Sequence, residues 1–230
     1  MIQTRYAHER GQGGGGGWLD SRHTFSFANY FDPNHMGFSH LRVINEDFVA
    51  PGSGFGTHPH RDMEILSYVL SGQIAHKDSI GNVKTLSAGE FQIMSAGAGI
   101  AHSEYNPSST DELHFYQIWI VPNQKGVNPR YEQKEFAPKE GATLLLSPNA
   151  DENSFKIYQD MKLFRYQYKA NSTEEIKLDA NRKYWLQVVK GELSVNDTKL
   201  KTSDALAITE ESALHIDTFS EVEFLLFDLV

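Results

Sequence analysis

From residue 40 to residue 121 the chain breaks into short apolar runs: HLRVINEDFV, MEILSYVL, GQIAHKDS, VKTLSA, EFQIMSA and LHFYQIWIV. Turn clusters such as PGSGFG, SIGN and AGAG separate them, and no run carries a helical period. Strands this short at this spacing predict an antiparallel sandwich or barrel. The texture returns over residues 163–230 in LFRYQYKA, EIKL, YWLQVVKGELSV, DALAIT and EVEFLLFDL. Aligning Gly72 with Gly191 sets Val69 on Val188 and Leu70 on Val189, so the apolar scaffold repeats. We expect two similar β domains, residues 1–135 and 136–230, with the polar stretch 122–160 as the bridge between them.

Upstream, His23 to Pro33 reads as a half-buried strand because Phe25 and Phe27 alternate with polar residues. The run Gly13 to Gly17 lacks the Gly-Lys-Ser/Thr that follows a phosphate loop, so a flexible surface loop is expected there, ahead of a mobile lid.

Within this all-β frame, polar side chains of one kind are concentrated. His58 and His60 stand two apart, as do His102 and Glu104. Residues two apart on a strand share a face, so two strands could each offer two ligands to one ion. Three imidazoles and a carboxylate suit iron(II), manganese, nickel, cobalt, copper or zinc better than magnesium or calcium. The chain has no cysteine, which excludes disulfides, thiolate nucleophiles and zinc–thiolate sites. Net charge is −9 with no basic cluster, so no nucleic-acid partner is expected. No apolar segment approaches the roughly 20 residues of a membrane helix, and the N-terminus has no signal-like apolar core. We therefore expect no membrane partner and a cytoplasmic location.

The spacing Gly52-x5-His58-x-His60-x3-Glu64-x7-Gly72 resembles the first cupin motif, and Gly89-x7-Gly97-x-Gly99-x2-His102-x3-Asn106 the second. The general motif's proline is Gly97 here. More narrowly, WLDSRHTFSF, GFGTHPHRDMEILSYVLSG, EFQIMSAGAGIAHSEYNPS and YQIWIVP resemble the pirin family of two-domain cupins, on the side of the bacterial quercetin 2,3-dioxygenase-like members. The resemblance implies two jelly-roll-type antiparallel β-barrels, a bicupin. The first would bind metal and the second would be degenerate, with Lys177, Asp179 and Lys183 aligned to His58, His60 and Glu64.

The resemblance assigns the metal to His58, His60, His102 and Glu104. Glu64 fills the general motif's glutamate position and is left to steady the ligands from behind. The implied activity is dioxygen-dependent opening of a flavonol ring with release of carbon monoxide. Iron is the first expected metal, the substrate a flavonol-like aromatic, and Glu104 the proton acceptor. The alternative is a metal-dependent redox sensor acting on a regulatory protein partner; a cupin isomerase is a third reading.

Other candidates receive plainer readings. His76 and His114 are expected to be hydrogen-bonded strand histidines, and His215 to be structural. His8, His23, His35 and His40 have no useful spacing. Phe25 and Phe27 are expected to fill a core. The face of Gln92, Met94 and Gln117 is open. The Asn106 amide is expected to tie off the turn that follows it.

Overall fold

The computed structural model describes residues 1–230. Two compact units emerge: Gly11–Phe136, and Ala137–Val230 together with Met1–Arg10. The chain opens with β1 (Ile2–Arg5). The strands of the Gly11–Phe136 unit are β2 (Gly11–Gly15), β3 (Leu19–His23), β4 (Leu41–Val49), β5 (Gly54–His60), β6 (Glu64–Ser71), β7 (Gln73–Asp78), β8 (Val83–Ser87), β9 (Glu90–Ser95), β10 (Ile100–Tyr105), β11 (Leu113–Ile120) and β12 (Arg130–Glu135). They form a seven-stranded sheet, β12-β9-β6-β11-β4-β3-β2, and a four-stranded sheet, β5-β10-β7-β8.

The other unit adds β13 (Gly141–Ser147), β14 (Phe155–Lys156), β15 (Lys162–Tyr168), β16 (Thr173–Lys177), β17 (Lys183–Lys190), β18 (Glu192–Val195), β19 (Thr198–Lys201), β20 (Ala205–Thr209), β21 (Ala213–Thr218) and β22 (Val222–Leu229). Its sheets are β1-β20-β17-β22-β15-β13-β14 and β16-β21-β18-β19. All pairings are antiparallel except β13 with β14. No helix is long and apolar enough to cross a membrane.

The internal echo is physical. Gly72 joins β6 to β7 and Gly191 joins β17 to β18, both at positive φ (78° and 92°). A Cβ at either would press on a carbonyl oxygen just ahead of the partner strand: Glu112 at 2.9 Å, Glu221 at 2.2 Å. Each hairpin thus turns against the corresponding central strand, β11 or β22, at a place only glycine fits.

Several expectations are corrected. Met1–Arg10 lies with the Ala137–Val230 unit, because β1 pairs with β20, Ile2 opposite Ile208. The glycine run is strand β2 in a hairpin with β3, not a loop. Gly13 lies so close to His23 that a Cβ would come within 2.2 Å of the imidazole, so the missing side chains serve close approach. Residues 24–33 are irregular: β3 ends at His23, Ala28 takes a positive φ of 49°, and Phe27 bridges only to Tyr30. Residues 122–160 contain β12 and β13 rather than loop alone. His58 and His60 occupy their own strand, β5, one turn before the apolar run of β6.

Candidate metal centre

The inner face of the larger sheet in the Gly11–Phe136 unit has an ordered chemistry. At one end Val49, Val69, Leu113 and Phe115 pack with Ile74 and Leu86. At the other, Ile65 and Met94 pack with Ala96 and Ile100. Between the two clusters runs a polar row across five strands: His23 opposite Asn45, Asn45 opposite Gln117, Gln117 opposite Ser67, Ser67 opposite Gln92. All five are buried. Buried polar groups need partners, and this row meets the carboxylate of Glu104 from the facing sheet. Gln92 Nε2 donates to Oε1 at 2.9 Å, Ser67 Oγ to the same oxygen at 3.3 Å, and Gln117 Nε2 to Oε2 at 2.9 Å.

Glu104 sits on β10 in the smaller sheet, with β5 and β7 on its two sides. His58 stands opposite His102, while Phe55 stands opposite Glu104, so β5 carries an extra residue between them. Such a bulge bends a strand and re-aims its side chains. His58, His60 and His102 converge, with ring centroids 4.6–4.9 Å apart. The nitrogens they offer lie within 4.8 Å of one another. Nδ1 of His58 is 2.8 Å from the Gly56 carbonyl oxygen; donating there, it leaves Nε2 free for an ion.

In a second group, fully buried, the ligand atoms of His76, His102 and Glu104 also lie within 4.8 Å of one another. On β7, His76 faces Glu104 and Asp78 faces His102. Burial raises the Asp78 carboxyl, but hydrogen bonds from Asn82 and His76 outweigh it and hold it below its ordinary range. His76 Nε2, 3.1 Å from that carboxylate, is thereby the donor, and its Nδ1 is left without a partner. His102 belongs to both groups, and neither of its buried ring nitrogens has a hydrogen-bond partner.

Burial pushes His60 down to about 4, reinforced by His102 and His58. It lowers His102 as well, against the pull of Glu104. Neutral imidazoles are what a metal requires. Converging imidazole nitrogens, a carboxylate and two orphaned buried nitrogens on one ring fit a transition ion.

A cavity of about 280 Å³ opens on this cluster, lined by His58, His60, Glu104 and Gln117 and walled by Leu19, Phe27, Phe55 and Trp119. Trp119 meets His60 edge-on at 5.0 Å and Phe27 at 5.3 Å. Phe27 therefore lines the cavity instead of filling a core, whereas Phe25 is buried as expected. Glu64 does not reach the histidines. It lies out of phase with Ser67 on β6, so it points to the other face, where Ser95 donates to it at 3.0 Å and Arg130 stands at 3.8 Å.

His76 and His114 are hydrogen-bonded strand histidines, His114 to Glu46 at 2.9 Å. His215 is exposed, 3.6 Å from Glu175. Asn106 ties its turn by donating to the carbonyls of Val49 and Asp111. Sequence reasoning missed four polar residues of the cavity: Ser21, His23, Asn45 and Asp47, with His23 set aside for want of useful spacing. Asp47 is buried, accepts from the Ser21 hydroxyl, and is pushed up by burial to about 7. The available signal was the spacing of Asn45 and Asp47, two apart on β4; Ser21 stands in the polar strand LDSRH and carried none.

The pirin family profile matches residues 3–120, and that of a quercetinase C-terminal cupin domain matches residues 144–229. The chain belongs to the pirin family. It is a bicupin, each unit an instance of the two-sheet cupin arrangement described above. It is 57% identical to a quercetin 2,3-dioxygenase of Escherichia coli strain K12, covering all of this chain and 99% of that one. A putative quercetin 2,3-dioxygenase of Pasteurella multocida is 58% identical over the full length of both. The crystal structure of the E. coli pirin YhhW in complex with nickel(II) superposes with a TM-score of 0.96 at 57% identity, covering 100% of this pirin and 99% of that chain.

Proposed function

We propose that this pirin is a metal-dependent dioxygenase that opens the heterocyclic ring of flavonols such as quercetin, with release of carbon monoxide. One observation carries the proposal. Three histidines converge beside Glu104 at the end of an aromatic-walled cavity, and buried His102 keeps both ring nitrogens without a protein partner. The quercetin 2,3-dioxygenase relatives supply the substrate class.

On this reading His58, His60, His102 and Glu104 hold one divalent transition ion, and the second barrel, with Lys177, Asp179 and Lys183 at the aligned positions, holds none. Iron(II) is the first candidate, with manganese, nickel, cobalt, copper and zinc as alternatives; the nickel(II) complex of YhhW supports a divalent transition ion. When bound, the ion supplies Lewis acidity toward a chelating hydroxyl.

The remaining work falls to the chain. Glu104 accepts the proton of the flavonol 3-hydroxyl at Oε2, and Gln117 holds that oxygen in place. Ser67 and Gln92 fix the other oxygen, so the carboxylate does not swing as it changes charge. Phe27, Phe55 and Trp119 cover the flat substrate and exclude bulk water, leaving dioxygen as the co-substrate.

The test follows the visible absorbance of quercetin and oxygen uptake in one cell. Metal-stripped protein is compared with protein reloaded with each candidate ion. Metal-dependent decay matched by one dioxygen per flavonol is expected. No decay with any bound ion would overturn the proposal.

A further inference from the structure

Polar groups in the cavity are not confined to the metal end. β4 carries Asn45 and Asp47 two apart on the inner face, and β3 carries Ser21 directly opposite Asp47. All three line the cavity that holds His58, His60 and Glu104, and each is at most 3% exposed. Asn45 is anchored to the metal end, since Gln117, its cross-strand neighbour, donates to Glu104. Asp47 lies about 7 Å further along the strand. The cavity thus has a metal-facing end and, further along β3 and β4, a second polar end, with Leu19 beyond it and Phe27 and Phe55 among the apolar walls.

That second end is incomplete as the protein presents it. The Ser21 hydroxyl donates to Oδ1 of Asp47, leaving Oδ2 available. Oδ1 of Asn45 is buried with no hydrogen-bond partner. Unfilled acceptors in an apolar cavity are costly unless something donates to them. A flat apolar ligand would leave both unfilled. One carrying hydroxyl groups on the edge away from the metal would fill them.

We infer that Ser21, Asn45 and Asp47 form a second substrate subsite, which grips hydroxyl groups on the edge of the substrate remote from the histidines. The inference deepens the ring-cleaving reading above and rests on it. It narrows the substrate class from flat aromatics with one chelating hydroxyl to polyhydroxylated aromatics. Asp47 is a positioning residue: it meets the remote edge and not the reacting atoms.

The test compares two flavonols on metal-reloaded protein. 3-Hydroxyflavone carries only the hydroxyl assigned to the metal end; quercetin carries further hydroxyls on both ring systems. A lost hydrogen bond to a neutral group corresponds to roughly 2- to 10-fold in binding. The Asp47→Leu variant is therefore expected to raise the ratio of the quercetin KM to the 3-hydroxyflavone KM by about fivefold. Asp47→Asn, which keeps an acceptor, is expected to restore most of that ratio. Should Asp47→Leu fail to fold, Ser21→Ala is expected to shift the ratio the same way by a few-fold. An unchanged ratio in every folded variant, with the wild type active on both compounds, overturns the subsite and leaves the dioxygenase reading standing. Failure of the wild type to bind or turn over either compound overturns that reading and the subsite with it.

Discussion

Gln117 Nε2 donates to Oε2 of Glu104 at 2.9 Å, while the Gln117 backbone stands between Asn45 and Ser67 in the larger sheet. One side chain therefore ties the sheet that carries the candidate ligands to the sheet that faces it. Partners of this kind set the orientation of a ligand carboxylate, and their loss commonly costs 10- to 100-fold in metal affinity. Gln117→Leu is expected to weaken metal binding by about tenfold, measured by competition with a chromophoric chelator. Gln92→Leu should do the same, since Gln92 holds the other oxygen at the same distance. Affinity unchanged in both variants would remove the carboxylate from the metal centre.

His102 is common to the two ligand groups, whereas His58 and His60 belong to one and His76 to the other. His102→Ala is expected to abolish bound metal in isolated protein. His58→Ala should lower the metal content without eliminating it, and His76→Ala should leave it close to one ion per chain. Elemental analysis after exhaustive dialysis makes the comparison. If His76→Ala lost metal as completely as His102→Ala, the ion would belong to the buried group on β7 and β10.

Much of this was legible in the chain, and the reason is periodicity. Two candidate ligands two residues apart on a strand announce a shared face, so His58 with His60 and His102 with Glu104 stood out. The repeat also showed, because Gly72 and Gly191 occupy equivalent turns against equivalent neighbours, Glu112 and Glu221. What stayed hidden depends on which strands face each other. Ser67, Gln92 and Gln117 each interrupt an apolar run singly, Asn45 heads the polar triplet Asn45-Glu46-Asp47, and polar residues so placed in a strand have many explanations. Only the register makes them one row. The glycine run misled for a related reason. Composition indicates freedom, but the crowding of Gly13 against His23 is a tertiary fact.

That crowding gives a third prediction. A methyl group at residue 13 would stand 2.2 Å from the His23 ring, which is itself buried and packed edge-on against Phe27. Overpacking of this kind costs about 1–3 kcal/mol. Gly13→Ala is expected to lower the thermal midpoint by several degrees and to reduce kcat/KM, because His23 and Phe27 both line the cavity. Gly15→Ala, where a Cβ meets nothing within 4 Å, is the matched control and should change neither. Equal effects at the two positions would mean that the hairpin, not the contact, is what matters.

The last prediction concerns the pH dependence of folding. Burial raises the Asp47 carboxyl from 3.8 to about 7, against the hydrogen bond from Ser21 and with Glu104 and Glu46 adding to the rise. Between those two values the folded chain holds a proton that the unfolded chain has released. Stability from this group is therefore fully present below pH 3.8 and is lost as pH rises through 7. About three pH units of displacement, at about 1.4 kcal/mol each, set an upper bound of about 4 kcal/mol. His60 works in the opposite direction, since its depressed value makes stability fall as pH drops from 6.5 toward 4. A single melting curve would mix the two. Wild type and Asp47→Asn share His60, so the difference between them cancels it. In metal-free protein, wild-type stability relative to Asp47→Asn is expected to decline from pH 5 to about pH 7 and to level off by pH 8, read from urea midpoints at each pH. A difference that stayed level across that range would mean Asp47 is ionised throughout, and that burial does not dominate its environment.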